Sequence, residues 1–319
     1  MGPFFALNTT LKLLRFITVV CTLGASLQAQ PGPSDNRSGR PSNVSVKPYA
    51  LTQSFSQTLS SDIKGAGNAL TGYDVMRAET KLNYVERLGP GRLVFLGASY
   101  EFSDYNIDGS AGNAIFDTVD NYGVSARTIF PIEGDWSALG MANIQMAAAN
   151  DARLSDGLTM TGIAATTYSF SPALKVSFGL LVSKRLENNP LALPIAAIDW
   201  DITDRLKLRT LNGAFLTYDL DAGKLTQMDL SVQYQSRSFA VENLQGTVFM
   251  RGNDEGAIKE SSIVSTVGIR RLFRDIFSVR AFAEFATRRQ IEVRQDDNKI
   301  FEFDTDSAFT FGVEGGVRF

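Results

Sequence analysis

The 319-residue chain contains no histidine and one cysteine, Cys21. Without histidine the commonest general base is missing, along with the partner that most Ser-dependent sites require. With the thiol confined to the first thirty residues, the usual zinc and haem ligands are missing as well. Cys21 is a poor lipoprotein acylation site, because Thr18-Val19-Val20 lacks the small residue favoured just before such a cysteine. Long hydrophobic runs are also scarce. Past residue 29 no stretch approaches the ~18 apolar residues of a membrane helix, which excludes a helical bundle but not a barrel, whose strands expose only alternate residues to lipid. Charge of one sign is not in excess: the formal net charge is −3, so there is no basic patch for nucleic acid. Gly65-Ala66-Gly67 lacks the Lys and Ser/Thr of a phosphate loop. Asp296-Asp297 with Asp304 and Asp306, and Asn253-Asp254-Glu255-Gly256, lack calcium-loop spacing. No cofactor, metal or catalytic constellation is expected.

The N-terminus reads as an export signal. Lys12 and Arg15 precede the apolar run Phe16–Ala25, and Leu27-Gln28-Ala29 offers a small residue at a cleavage point, so residues 1–29 are expected to be a signal peptide passed through the secretory translocon. Loss of Lys12 and Arg15, with no acidic residue in the segment, takes the net charge from −3 to −5. Residues 30–47 are rich in Pro, Gly, Ser and Asn, and their only large apolar residues are Val44 and Val46. They cannot offset their ordering entropy and are expected to form a flexible periplasmic tail.

From residue 48 to 319 the pattern has period two. Leu174, Val176, Phe178, Leu180 and Val182 share one face, opposite Lys175, Ser177, Gly179, Ser183 and Arg185. Val94, Leu96, Ala98, Tyr100 and Phe102 repeat the arrangement, as do Phe277, Val279, Ala281, Ala283 and Phe285. Met76, Ala78, Leu82 and Tyr84, and Tyr122, Val124 and Ala126, follow it more weakly. Tight turns at Leu88–Gly91, Ile132–Asp135, Ser171-Pro172, Thr203-Asp204, Asp221–Gly223 and Phe273–Asp275 interleave with longer polar stretches at Ser61–Gly72, Asp104–Phe116, Asn150–Gly157, Glu187–Pro190, Ser236–Gly256 and Gln290–Lys299. Asn212-Gly213 reads as a two-residue hairpin. At roughly 20 residues per strand and connector, the 272 residues from 48 onward hold about 12 to 14 strands. The expected fold is all-β, a single transmembrane antiparallel β-barrel with short periplasmic turns and longer external loops. It has 14 strands, or 12 if the pair around Asn212-Gly213 is one hairpin tip. A soluble secreted sandwich is the alternative, with the same apolar faces packed on a second sheet.

The last strand sharpens the choice. Phe309, Phe311, Val313, Gly315, Val317 and Phe319 alternate with Thr310, Gly312, Glu314, Gly316 and Arg318. This strand resembles the closing strand of the outer-membrane β-barrels of Gram-negative bacteria, porin-like families among them, which typically ends in Phe after apolar residues at every second position. The resemblance implies that Phe309, Phe311, Val313, Val317 and Phe319 form the signal read by the barrel-assembly machinery. It also implies an outer-membrane location, with outer-membrane lipid around the wall. The segment Pro194–Arg209 resembles a strand–turn–strand unit of proteobacterial and planctomycete-type outer-membrane proteins without assigned function, and carries no ligand residues with it.

The alternation places Arg77, Glu79, Lys81, Glu101, Arg127, Lys175, Arg185, Arg280, Glu284, Arg288, Glu314 and Arg318 toward the lumen. Trp136, Phe170, Trp200, Phe277 and Phe319 suit a girdle on the turn side, and Tyr100, Phe102 and Phe215 one toward the loops. A lumen of mixed charge suits a porin-like passive pathway for small polar solutes or ions. The other reading of these residues is a non-conducting structural or surface-binding barrel that acts through its external loops.

Overall fold

A computed structural model describes residues 48–64, 71–109, 117–149, 152–186, 190–242, 256–274, 276–295 and 298–319. The expected leader and tail lie outside them. The strands are β1 (Tyr49–Lys64), β2 (Gly72–Gly89), β3 (Arg92–Asp108), β4 (Thr118–Pro131), β5 (Trp136–Ala149), β6 (Leu158–Ser171), β7 (Leu174–Lys184) and β8 (Leu191–Asp201). They continue with β9 (Leu206–Thr210), β10 (Gly213–Asp219), β11 (Thr226–Val241), β12 (Gly256–Phe273), β13 (Phe277–Gln295), β14 (Asn298–Thr305) and β15 (Ala308–Arg318).

Neighbours along the chain pair antiparallel from β1 round to β13. β14 and β15 both lie between β13 and β1 and together fill one position in the wall. β15 closes the ring on β1, from Ala50 opposite Arg318 to Thr58 opposite Thr310. The result is a closed barrel of fourteen wall positions, as the alternation predicts, with the break in β14–β15 as the extra element. The pair around Asn212-Gly213 is the β9–β10 hairpin, with Leu211-Asn212 as its connector. Gly213 is needed one residue later, inside β10, where an added Cβ would lie 2.4 Å from the Val232 carbonyl oxygen.

The two faces follow the sequence pattern. Phe178, Leu180, Val182, Leu230, Val232, Val267, Ile269, Phe309, Phe311 and Val313 are exposed around the outside, a belt that a soluble protein would bury. Aromatic groups collect at the turn end of this belt. Trp136 packs on Tyr168 at 4.9 Å, and Phe319 stacks on Tyr49 at 5.3 Å. Phe215 does not join the girdle toward the loops: it lies opposite Arg209 on the inner face of β10, because the β9–β10 turn sets its parity. At the turns, Pro90 precedes Gly91, whose φ of 68° needs glycine, and Asp221 accepts from the Leu225 and Thr226 amides at 3.0 and 2.7 Å.

Strand length is uneven, and this shapes the molecule. A tilted membrane strand needs about 9–11 residues. β1, β2, β3, β11, β12 and β13 have 16 to 19, whereas β9 and β10 have 5 and 7. Parts of the polar stretches read from sequence as loops are strand instead. β3 runs to Asp108, β11 to Val241 and β13 to Gln295, with β14 beginning at Asn298. Their alternation is hidden because the outer face turns polar once a strand leaves lipid.

These tall strands bend inward. β1 shifts register between Thr58 and Ser61, β12–β13 between Ser261 and Ile263, and β14 separates from β15 at residues 306–307, so adjacent strands break at one level. Beyond it the inner faces meet in an apolar cap that includes Ile63, Tyr73, Val75, Tyr105, Val119, Ala147, Phe239, Val241, Ile258, Val293 and Phe303. Ala240 of β11 pairs with Ala148 of β5 over the top of the shorter strands between them.

Candidate functional site: the barrel lumen

Directly below the cap the lumen is crossed by ion pairs. Glu101 on β3 meets Arg237 on β11 at 2.5 Å, although these strands stand far apart around the ring. Arg77 on β2 donates to Glu260 on β12 at 3.1 Å and to the Tyr105 hydroxyl at 3.3 Å; that hydroxyl also donates to Glu260 at 3.0 Å. Arg289 donates to the Tyr73 hydroxyl at 2.5 Å, to Ser61 and to the Asp306 carbonyl at 3.0 Å, tying the bent strands together. Among the described residues, charge pairs topped with a hydrophobic cluster therefore cross and narrow the axis of the barrel at the loop end.

Toward the turns the lumen is charged and mostly paired. Arg280 bridges to Asp229 at 2.5 Å, Arg270 to Glu314 at 3.1 Å, Arg209 to Asp199 at 3.2 Å and Lys207 to Asp201 at 3.6 Å. Glu79 and Lys81 pair along one strand at 2.6 Å, and Glu284 accepts from Thr266 at 3.2 Å. Arg127 lies over the Phe95 ring at 5.2 Å, its Nε without a hydrogen-bond partner among the described residues. Lys175 stands opposite Asp199.

One predicted lumen residue sits elsewhere. Arg288 has φ 49° at the bulge and is exposed, while its neighbour Arg289 turns inward. Arg318, the last residue of β15, has the parity of Glu314, and its backbone N–H donates to the Ile276 carbonyl at 2.7 Å; Arg185 directly follows the end of β7. The sequence reading missed Glu260, Arg237, Asp229 and Arg270. Arg237 was legible: Gln233, Gln235 and Arg237 continue the inner face of β11 past the residue where the loop was expected to begin. Of the acidic loop clusters, Asp296, Asp297 and residues 253–255 lie outside the described residues, and Asp306 pairs with Lys64.

One side of the wall is open. β8 pairs with β9 only at Asp199, Trp200 and Asp201, and β10 pairs with β11 no higher than Gly213 opposite Gln233. Above the hairpin tip, residues 191–197 of β8 and 234–238 of β11 have no strand partner on the sides that face each other, among the described residues. Pro194, which has no N–H to give a ladder, falls in that stretch.

A closed antiparallel ring with an apolar outer belt, an aromatic girdle and a charged interior defines a transmembrane β-barrel. Within that class the chain belongs to the family described as Domain of unknown function (DUF6268), whose model matches residues 78–313. Among solved structures, the chain is similar to the COG4313 outer membrane channel from Pseudomonas putida F1, with 12% identity over 89% of this chain and 99% of that one, at a TM-score of 0.45. It is also similar to a deletion mutant of the TodX monoaromatic hydrocarbon channel, with 9% identity over 93% and 97% of the two chains and a TM-score of 0.43. A third is the NanC porin, with 8% identity over 85% and 100% and a TM-score of 0.38. No curated protein matches the chain.

Proposed function

We propose that the protein is a passive, non-catalytic channel in the outer membrane of a Gram-negative bacterium, whose lumen admits small polar solutes or ions from the turn side. The observation that carries this reading is the inner face of β11 to β15, where Asp229, Arg270, Arg280, Glu284 and Glu314 form a charged wall behind the lipid belt. Charges of both signs at close range replace part of a solute's hydration without trapping it. Export through the secretory translocon with loss of residues 1–29, and insertion by the barrel-assembly machinery through Phe309, Phe311, Val313, Val317 and Phe319, belong to the same proposal. Conductance in planar bilayers tests the pathway: folded protein should give small discrete steps, and folded protein that gives none refutes it. The cap and the crossed ion pairs favour a second reading, a non-conducting barrel that works through its loop-side surface, and silent bilayers would support it.

A further inference from the structure

The geometry points to a lateral exit between β8 and β11, through which small amphipathic molecules pass between the lumen and the membrane. This rests on the channel reading and names the solute class that leaves at the loop end. Four observations carry it.

The first is height. β10 has 7 residues and β9 has 5. At about 3.3 Å per residue and a tilt near 40°, β10 rises roughly 18 Å, short of the ~25 Å apolar band. The wall therefore ends inside the hydrocarbon layer. On the flank of the gap Leu180 and Val182 still face outward and exposed, opposite Pro194 and Ala192 of β8, which shows the lipid belt continuing beside the opening.

The second is width. With two strands missing above the hairpin tip, β8 and β11 start three strand spacings apart, about 14 Å between backbones at the tip, and the gap narrows upward to where Ala240 of β11 meets Ala148 of β5. The third is the narrowed axis: the cap and the Glu101–Arg237 pair crowd the way straight up, so among the described residues the gap is the way out at this end for a molecule with an apolar body.

The fourth is chemistry. Polar residues dominate the lumen elsewhere, but beside the gap the inner face is apolar. Met141, Ile163, Leu181 and Leu193 form one row across β5 to β8, with Leu139 and Ile195 next to them. Leu193 points inward and is nonetheless 44% exposed. Unpaired strand edges are not tolerated against dry hydrocarbon, and persist at membrane depth only where water reaches them. The edges at residues 191–197 and 234–238 therefore border lumen water on one side and lipid on the other. A molecule with a polar end and an apolar body satisfies both: the end hydrogen-bonds to edge amides and carbonyls while the body slides from the Leu193 row into the acyl chains. A fully polar solute finds no partner in that row.

The test places a fluorophore on the row. Leu193→Trp is made in a Trp136→Phe, Trp200→Phe background and reconstituted in vesicles of brominated phosphatidylcholine, with gel mobility before and after heating as the folding check. Phe178→Trp serves as the lipid-facing reference and Thr167→Trp as an inner-face reference low in the lumen. The Leu193→Trp signal should be quenched nearly as strongly as Phe178→Trp, with Thr167→Trp left bright. In ordinary vesicles brominated dodecanoate should quench Leu193→Trp saturably. A second label, Ile195→Trp, serves if Leu193→Trp does not fold. A tryptophan at 193 or 195 as bright as that at 167 in brominated lipid overturns the lateral exit, as does dodecanoate quenching that never saturates. Conductance of the same preparations keeps the two readings apart: steps with a bright tryptophan sink the exit alone, whereas quenching without steps supports the exit and sinks the ion pathway.

Discussion

Replacing Phe239 by Ala should loosen the cap while leaving the membrane-embedded ring intact. The ring of Phe239 is 2% exposed and packs against Tyr105 at 6.0 Å, in the middle of the apolar cluster at the loop end. Truncating a buried Phe costs the transfer free energy of the ring and the cavity left behind, together about 3–5 kcal/mol. Phe178→Ala is the control. Phe178 is 56% exposed on the lipid face, and lipid fills the space it vacates, so only the transfer part is lost, at most about 1.5–3 kcal/mol. The readouts separate by position. Trp136 and Trp200 sit at the turn end and report on the ring, while amide exchange in residues 237–241 and 257–261 reports on the cap. In Phe239→Ala those cap amides should exchange faster and lose protection at lower urea than the tryptophan transition, which should barely move. Phe178→Ala should shift the tryptophan transition and leave the cap protected. Unchanged exchange at 237–241 in Phe239→Ala would refute a tightly packed apolar cap.

Leu180→Arg places a charge near the middle of β7, on the lipid belt, and should cost about 2–4 kcal/mol, read as a lower urea midpoint in vesicles. Glu101→Gln with Arg237→Gln removes the crossing ion pair without leaving a lone charge; larger conductance steps are expected, and steps of unchanged size would show that the pair does not limit flow. Asp221 lies in an exposed turn, where the Leu225 amide, then the Thr226 contacts, hold its carboxyl below the usual carboxylate range. Its contribution is thus present above the ordinary pKa and fades as pH falls through the lowered one. Urea midpoints of wild type and Asp221→Asn should differ at neutral pH and converge in acid.

The ring itself was legible because lipid imposes one rule on every strand it touches. Phe178, Leu180 and Val182, or Phe309, Phe311 and Val313, declare their face by size and spacing alone. Above the membrane that rule lapses: both faces of β13 past Ala286 carry polar residues, and Gln290 to Gln295 look like loop. Arg288 illustrates a second limit. One inserted residue exchanges the two faces, so Arg289 rather than Arg288 enters the interior, and no spacing argument locates a bulge. The ion pairs were hidden for a third reason. Glu101 and Arg237 are 136 positions apart in sequence, and their meeting depends on the inward bend of the tall strands. Asn212-Gly213 announced the short hairpin, yet its meaning as a low place in the wall needed the lengths of its neighbours.

The seam between β1 and β15 has a consequence for the order of events in folding. Pairings from β1 through β13 join strands next to each other in the chain, so each can form as soon as its second strand is available. The closing seam joins Thr58 to Thr310, 252 residues apart, and needs both ends of the barrel sequence in place. Until Phe319 settles against Tyr49, both margins of the growing sheet remain open. Without β15, residues 50–58 of β1 and 277–286 of β13 lose their shared partner, and only the short β14 would still bridge the two strands.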